Sequence, residues 1–297
     1  MRANHRFTDL RTVMGSSEPH GGRVGRRTAV LGYPVDRSLS PVLHRAALKA
    51  MGLNWSCNTI DCEETGLAGL LDSLDDSWAG LALCTPLKRS VLPLIDEVTD
   101  LALDVGGANT VVFRDGRTYG HNTDVHGILT ALREAGVHAP GSAVVLGGGT
   151  AACSALAALR ELGVTEPTVV VREHGRAAEA HAAAGRLGMA IDVHTFDRLD
   201  RLLHGTGLVV STLPAGAADT YAAAIVHSRA AIFDVVCSAW PTRLTKAAGF
   251  AGSTVVDGLS LLAHQVADQV RLITGQAEVP VRAMREAGQA ELVRRAG

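Results

Sequence analysis

The chain reads as a two-domain α/β protein whose second domain is a doubly wound parallel sheet. Three observations carry that reading. From Thr28 onward, short apolar runs alternate with longer Ala/Leu-rich stretches of helical period, the pattern of strands joined by crossover helices. A strand, a glycine turn and a helix follow one another at Val144 to Leu162. At 297 residues the chain also exceeds a typical one-core domain of roughly 100 to 200 residues.

The elements follow in order. In the first half, strands are expected at Thr28 to Leu31, Trp55 to Ile60, Gly80 to Cys84 and Thr110 to Phe113, with helices at Pro41 to Met51, Glu64 to Leu71 and Leu87 to Ile95. A helix starting near Asp124 leads to a second series of strands: Ala143 to Leu146, Thr168 to Val171, Ile191 to His194, Leu208 to Ser211, Ala231 to Val235 and Thr254 to Val256. Leu259 to Thr274 and Val281 to Arg294 read as two closing helices. The expected organisation is a first domain over 27–125 completed by 257–297, and a nucleotide-binding domain over 126–256. The first 26 residues, rich in Arg, Gly, Ser and His and without a signal-type apolar segment, are expected to be a flexible tail, with Met14 as an alternative start.

Composition narrows the function. A hydrophobic share of 47% against 20% charged marks a globular chain, and no apolar run reaches the ~20 residues needed to span a bilayer, so no membrane partner is expected. A net charge of -2 without a basic patch, and an aromatic share of 4%, argue against nucleic acid. Cys57, Cys62, Cys84, Cys153 and Cys237 are odd in number and lack C-x-x-C spacing, so neither a disulfide framework nor a zinc site is indicated and a reducing cytoplasm fits best. No metal is expected, and the oligomeric state is left open between monomer and homodimer.

The glycine turn is the first chemical motif. Gly147, Gly148, Gly149, Thr150, Ala151 and Ala152 form G-x-G-x-x-A between a strand and a helix. Gly147 permits the tight turn, Gly149 lets backbone approach a pyrophosphate, and Ala152 keeps the helix close to its strand. The helix N-terminus then faces phosphates. The next strand ends in Arg172, with Arg176 one turn on; the pair would bracket a 2′-phosphate and favours NADP, whereas Glu173 between them would serve an NAD ribose.

The second chemical signal is a lysine in a chain nearly emptied of lysine. Only Lys49, Lys88 and Lys246 occur; arginine holds the other cationic positions. Arginine cannot lose its proton usefully, whereas an amine can give and take one, so Lys88 after Cys84-Thr85-Pro86-Leu87 is a candidate acid/base. Asp124 in His121-Asn122-Thr123-Asp124 is its candidate partner, with simple N-capping as the competing role. Ser38 and Ser40 precede Pro41 at a helix start, where hydroxyls and free N–H groups hold a carboxylate or merely cap.

Taken together these runs resemble the shikimate dehydrogenase family. G-x-P-x-x-x-S-x-S-P, strand then P-x-K, A-N-T, N-T-D-x-x-G, G-x-G-x-x-A, S-T-x-P and D-G-L-x-x-L-x-x-Q occur in that order between Thr28 and Gly275. The resemblance implies NADP-linked reduction of 3-dehydroshikimate to shikimate, on the way to chorismate and the aromatic amino acids, in a cleft between an N-terminal substrate domain and a Rossmann-like domain. By position it implies that Ser38 and Ser40 take the substrate carboxylate. Asn109, Asp124 and Gln265 would take ring hydroxyls, and Lys88 the reacting oxygen. Gly147 to Ala152, Arg172, Thr212, Val235 and Gly258 would line the cofactor. A folate-linked dehydrogenase of similar architecture fits less well, because paired serines suit a small carboxylate.

Several positions depart from the family pattern. Ala82 stands where Asn or Ser is usual, Cys84 where Thr is usual, and Cys237 where a tyrosine reaches the carboxylate; Ala239 and Arg243 replace common prolines, and Val171 a frequent asparagine. Cys84 and Cys237 are therefore the expected weak points of substrate binding, each lost hydrogen bond being worth roughly 0.5 to 1.5 kcal/mol. Such thinning suits a weak shikimate enzyme, a paralogue acting on quinate or an aminoshikimate ring, or a non-catalytic cofactor-binding relative; the retained Lys88 and Asp124 favour an enzyme.

Overall fold

The computed structural model describes residues 25–237 and 241–296. The expected tail lies outside the described residues as far as position 24, as does Ala239. Gly25 and Arg26 are described and do not belong to a tail: Arg26 donates from Nη2 to the Trp78 carbonyl (2.9 Å) and lies over the Trp55 ring, which anchors the chain ahead of the first strand.

The first half runs β1 (Arg27–Gly32), α1 (Ser40–Ala50), β2 (Ser56–Asp61), α2 (Leu67–Asp72), β3 (Trp78–Leu83), α3 (Leu87–Ser90), β4 (Glu97–Val98), α4 (Asp100–Val105), β5 (Thr110–Arg114) and β6 (Arg117–His121). These strands form one sheet in the order β2-β1-β3-β5-β6-β4. Central β3 is buried at all six positions, as its unbroken apolar run requires. Most pairings of this sheet are parallel, as expected, but β5 is antiparallel to both β3 and β6. The β5–β6 reversal is made by the tight hairpin at Asp115-Gly116, whose positive φ angles (53° and 73°) are those of a two-residue turn. The expected helix Leu87 to Ile95 is also broken, because Pro93 supplies no N–H; α3 is a single turn and Leu92–Leu94 a separate 3-10 turn.

The second half runs α5 (Asp124–Glu134), β7 (Ala143–Leu146), α6 (Thr150–Glu161), β8 (Thr168–Val171), α7 (Ala178–Leu187), β9 (Asp192–Thr195), α8 (Leu199–Leu202), β10 (Leu208–Ser211), α9 (Ala222–His227), β11 (Ala231–Asp234), α10 (Arg243–Phe250), β12 (Val255–Val256), α11 (Gly258–Thr274) and α12 (Val281–Ala296). All its strands pair in parallel, in the order β12-β11-β10-β7-β8-β9. The order reverses at β7, which is where a doubly wound sheet opens a crevice for a ligand.

After β12 the chain returns to the first sheet. On α11, Leu259, Ala263 and Val266 pack with Leu39, Leu43 and Ala47 of the α1 region and with Met284 and Leu292 of α12. Two glycines permit the close approaches. A side chain at Gly80 would meet Ile273 of α11 at 2.7 Å, and one at Gly127 of α5 would meet the Leu261 carbonyl at 2.9 Å. Among the described residues no helix is long and apolar enough to cross a membrane.

Candidate active site

Lys88 and Asp124 meet. Lys88 sits on the single turn α3, and its backbone is held because its carbonyl accepts from Ala108 N–H (2.8 Å). Its Nζ donates to Asp124 Oδ2 at 2.7 Å, with the two side chains only 14% and 9% exposed. Asp124 opens α5 but does not cap it; Asn122 Oδ1 accepts the N–H groups of Asp124 and Val125 instead. The carboxylate's other oxygen accepts from Asn109 Nδ2 at 2.8 Å. Both carboxylate oxygens are thus engaged, and the ammonium keeps N–H groups for a ligand.

Asn109 is placed differently from a ligand contact. It is completely buried, its Nδ2 serves Asp124 Oδ1 and Thr123 Oγ1, and its Oδ1 accepts from Thr123 N–H and the Thr110 hydroxyl. Its backbone carbonyl takes Gln269 Nε2 at 3.0 Å. In this arrangement Asn109 fixes Asp124 and leaves no amide proton for a substrate.

Ser38 stands just ahead of α1 and Ser40 opens it. Ser38 Oγ accepts the Ser40 N–H at 3.2 Å, and the Cys84 thiol lies 4.0 Å from that oxygen. Burial raises the pKa of the Cys84 thiol, so it stays protonated as a weak donor. The loop is clamped from α12: Arg295 donates to the carbonyls of Arg37 (2.9 Å), Ser38 (3.1 Å) and Asp36 (3.3 Å). Cys237 faces backbone, its thiol donating to the Gly258 carbonyl at 2.9 Å, and burial pushes its pKa up to about 12. Gln265 lies half-buried on α11, where its Cβ would meet a side chain added at Gly127 at 3.0 Å.

His44 is completely buried on α1, and burial takes its pKa from 6.5 to about 4, with Arg45 adding to the effect. A depressed folded pKa means that the unfolded chain takes the proton first. His44 therefore costs no stability above pH 6.5, and stability is lost as pH falls from there toward 4, by up to about 3 kcal/mol. Urea unfolding across that range should show a His44→Asn variant losing less stability than the parent, and equal losses would contradict the burial argument.

On the other side of the crevice, Gly147 has a φ of +108°, and a side chain there would strike Thr212 Oγ1 at 2.4 Å. Thr212 is itself tied to the Leu146 carbonyl by N–H (2.9 Å) and hydroxyl (2.8 Å). Gly148 admits no Cβ because the Arg176 carbonyl lies 2.4 Å from it, whereas Gly149 faces open space. That space before the N-terminus of α6, where Thr150 and Ala151 begin the helix and buried Ala152 seals it to the core, fits a pyrophosphate. Arg172 lines a cavity of about 310 Å³ with Phe196, Leu213, Ala217, Thr220 and Tyr221; the Phe196 and Tyr221 rings stack at 4.5 Å. Arg176, exposed like Arg172, lies one turn further along the same loop and does not line this cavity. Phe196 and Tyr221 were not foreseen, since only the order of the strands brings these loops together. Gly258 sits against the loop after β11, where a Cβ would meet the carbonyls of Val236 (2.4 Å) and Val235 (2.8 Å).

The two halves face each other. Thr85 Oγ1 is 3.4 Å from Thr150 Oγ1, which sets the turn before Lys88 opposite the glycine turn, and both line a cavity of about 410 Å³. Arg89 pairs with Glu179, and Arg186 Nε donates to the Asp104 carbonyl at 2.9 Å. An ammonium anchored by a carboxylate can deliver a proton to an oxygen beside a hydride donor.

Residues 30–111 match the model of the shikimate dehydrogenase substrate binding domain. A shikimate dehydrogenase (NADP(+)) of Methanothrix thermoacetophila is 34% identical, over 90% of this chain and 97% of the relative. The crystal structure of Mycobacterium tuberculosis shikimate dehydrogenase superposes with a TM-score of 0.81 at 36% identity, over 89% of this chain and 99% of the other. Quinate dehydrogenase from Corynebacterium glutamicum in complex with NAD gives a TM-score of 0.81 at 32% identity, over 90% and 99%. With its motifs in order, its two-sheet architecture and relatives matched over nearly their whole length, the chain belongs to the shikimate dehydrogenase family.

Proposed function

We propose that this protein is an NADP-dependent oxidoreductase that reduces 3-dehydroshikimate to shikimate, working in the cytoplasm. The observation that carries the proposal is the Lys88–Asp124 ion pair set opposite the glycine turn. The names of its relatives support the substrate and the cofactor, and five free thiols among the described residues suit a reducing compartment. In this reading the substrate domain comprises 27–125 with 257–297 and the nucleotide domain 126–256.

A nicotinamide held by the Gly147 to Ala152 turn, Arg172, Thr212, Val235 and Gly258 would supply the hydride. The Lys88 ammonium donates a proton to the ketone oxygen as negative charge develops there, and takes it back in the reverse direction. Asp124 keeps the ammonium in place and accepts from a ring hydroxyl, and Gln265 binds the ring from α11. Ser38 and Ser40 hold the carboxylate, with Cys84 at the edge of the same subsite. Asn109 acts through Asp124.

The direct test follows NADPH oxidation by the purified protein with 3-dehydroshikimate and, in parallel, 3-dehydroquinate. A higher kcat/KM on dehydroshikimate supports the proposal, and turnover of neither ring overturns it. Preference for dehydroquinate would transfer the assignment to the quinate activity named for the Corynebacterium relative, in keeping with the altered Cys84 and Cys237. NADPH should bind more tightly than NADH, and Arg172→Ala should remove most of that preference, since the 2′-phosphate loses its fork-shaped partner. Equal affinities in the unmodified protein would move the ribose contact to Glu173.

A further inference from the structure

Both serines at the start of α1 have a polar partner at their oxygen, and for Ser40 that partner is a buried histidine. His44 Nδ1 lies 3.0 Å from the Ser40 carbonyl and 3.3 Å from Ser40 Oγ, and its Nε2 is buried without a partner. The ring has two neutral tautomers, and the contacts distinguish them. With the proton on Nε2, the Nδ1 lone pair would face the carbonyl oxygen at 3.0 Å, the Ser40 hydroxyl would spend its proton on the ring, and an N–H would be buried with no acceptor. With the proton on Nδ1, the ring donates to the carbonyl and to the hydroxyl oxygen, and only an acceptor is left unpaired. Burial, which holds the ring neutral to about pH 4, keeps the choice between these two forms.

We infer that His44 is a positioning residue for substrate binding: as the Nδ1–H tautomer it makes Ser40 Oγ an acceptor within the protein and so reserves the hydroxyl proton for an anionic oxygen of the ligand. Ser38 matches it. Its oxygen already accepts from the Ser40 N–H, so its proton is also uncommitted. The pair is a two-donor clamp suited to a carboxylate, and His44 sets the polarity of half of it. The inference rests on the proposal that Ser38 and Ser40 take the substrate carboxylate.

The test is a cycle of variants in the full-length protein. Asparagine places its Nδ2 where the histidine has Nδ1, so His44→Asn keeps the donor, whereas His44→Leu removes it and relieves the orphaned nitrogen. We expect His44→Leu to raise KM for 3-dehydroshikimate by about tenfold, the worth of one well-aligned hydrogen bond, with little change in kcat or in KM for NADPH. His44→Asn should recover most of that loss. In a Ser40→Ala background His44→Leu should add less than about twofold, because the group it orients is gone. Independent effects in that cycle, or an asparagine variant as poor as leucine, would overturn the inference while leaving the carboxylate subsite intact. A Ser40→Ala variant with unchanged KM would overturn the subsite itself and this inference with it. Nitrogen-15 imidazole spectra of the unmodified protein test the tautomer without substrate: an Nδ1–H signal is expected for His44, and an Nε2–H signal refutes the device whatever ring the enzyme reduces.

Discussion

Lys88→Ala should lower kcat for dehydroshikimate reduction by about 10² to 10⁴ while leaving NADPH affinity near that of the parent, the range typical of removing a positioned acid/base. The separation of effects follows from the geometry. Lys88 lies on the first sheet's side of the crevice, and the glycine turn proposed to cradle the dinucleotide lies on the other. Lys88→Arg should not restore turnover. A guanidinium can pair with Asp124, but it does not give up its proton in the working pH range and its planar head is larger than the ammonium. Single-turnover measurements under saturating NADPH separate the chemical step from binding, and near-normal turnover by the arginine variant would remove Lys88 from its role.

Asn109→Asp should be the most damaging isosteric change in the protein. Position 109 is completely buried and lies 2.8 Å from Asp124 Oδ1, so the new carboxyl must either ionise beside a second carboxylate or hold a proton. Its folded pKa is therefore raised above the unfolded value. The variant should be nearest to parental stability at low pH and lose ground as pH rises through that raised value, reaching a deficit on the order of 3 to 5 kcal/mol near neutrality. Urea unfolding at pH 5 and pH 8 measures this. A deficit that does not grow with pH would mean that Asn109 is not held against Asp124 as described. Turnover should fall with it, since Asp124 loses the amide that orients it.

What could be read from the chain depended on how local its causes were. The parallel strands Ala143–Leu146, Thr168–Val171 and Leu208–Ser211 are visible to the residue because buried strands are unbroken β-branched and apolar runs bounded by turn residues. β6, with the residues Arg117–His121, escaped because it is polar and partly exposed, although Asp115-Gly116 before it is a hairpin signal. Lys88 and Asp124 were legible through residue chemistry and family motifs. Arg172 and Arg176 stand out in the chain by their charge, whereas the approach of the Arg176 carbonyl to Gly148 could not be read from it. The groups that were not legible act over long separations: Arg295 reaches the loop of Ser38, Gln269 reaches the Asn109 carbonyl, and Phe196 meets Tyr221. Asn109 was singled out by the family resemblance alone; its complete burial and its bonds to Asp124, Thr123 and Thr110 could not be read from the chain.

Helix α11 also acts as a gauge. Gly258 at its start lies against the Val235–Val236 backbone beside the nucleotide sheet, Gln265 lies against α5, and Gln269 reaches the carbonyl of Asn109. Steps of seven and four residues keep the three on one stripe of an α-helix, spaced by about 10 Å and then about 6 Å. The span from the backbone after β11 to Asn109 is thus counted out in residues of a single rigid rod. Removing one residue between Gly258 and Gln265 would shorten that span by only about 1.5 Å, yet it would turn every later side chain by about 100° away from its mark. The length of this segment is therefore under a stricter constraint than most of its side chains, and natural variation in the family should enter it by substitution and not by insertion or deletion.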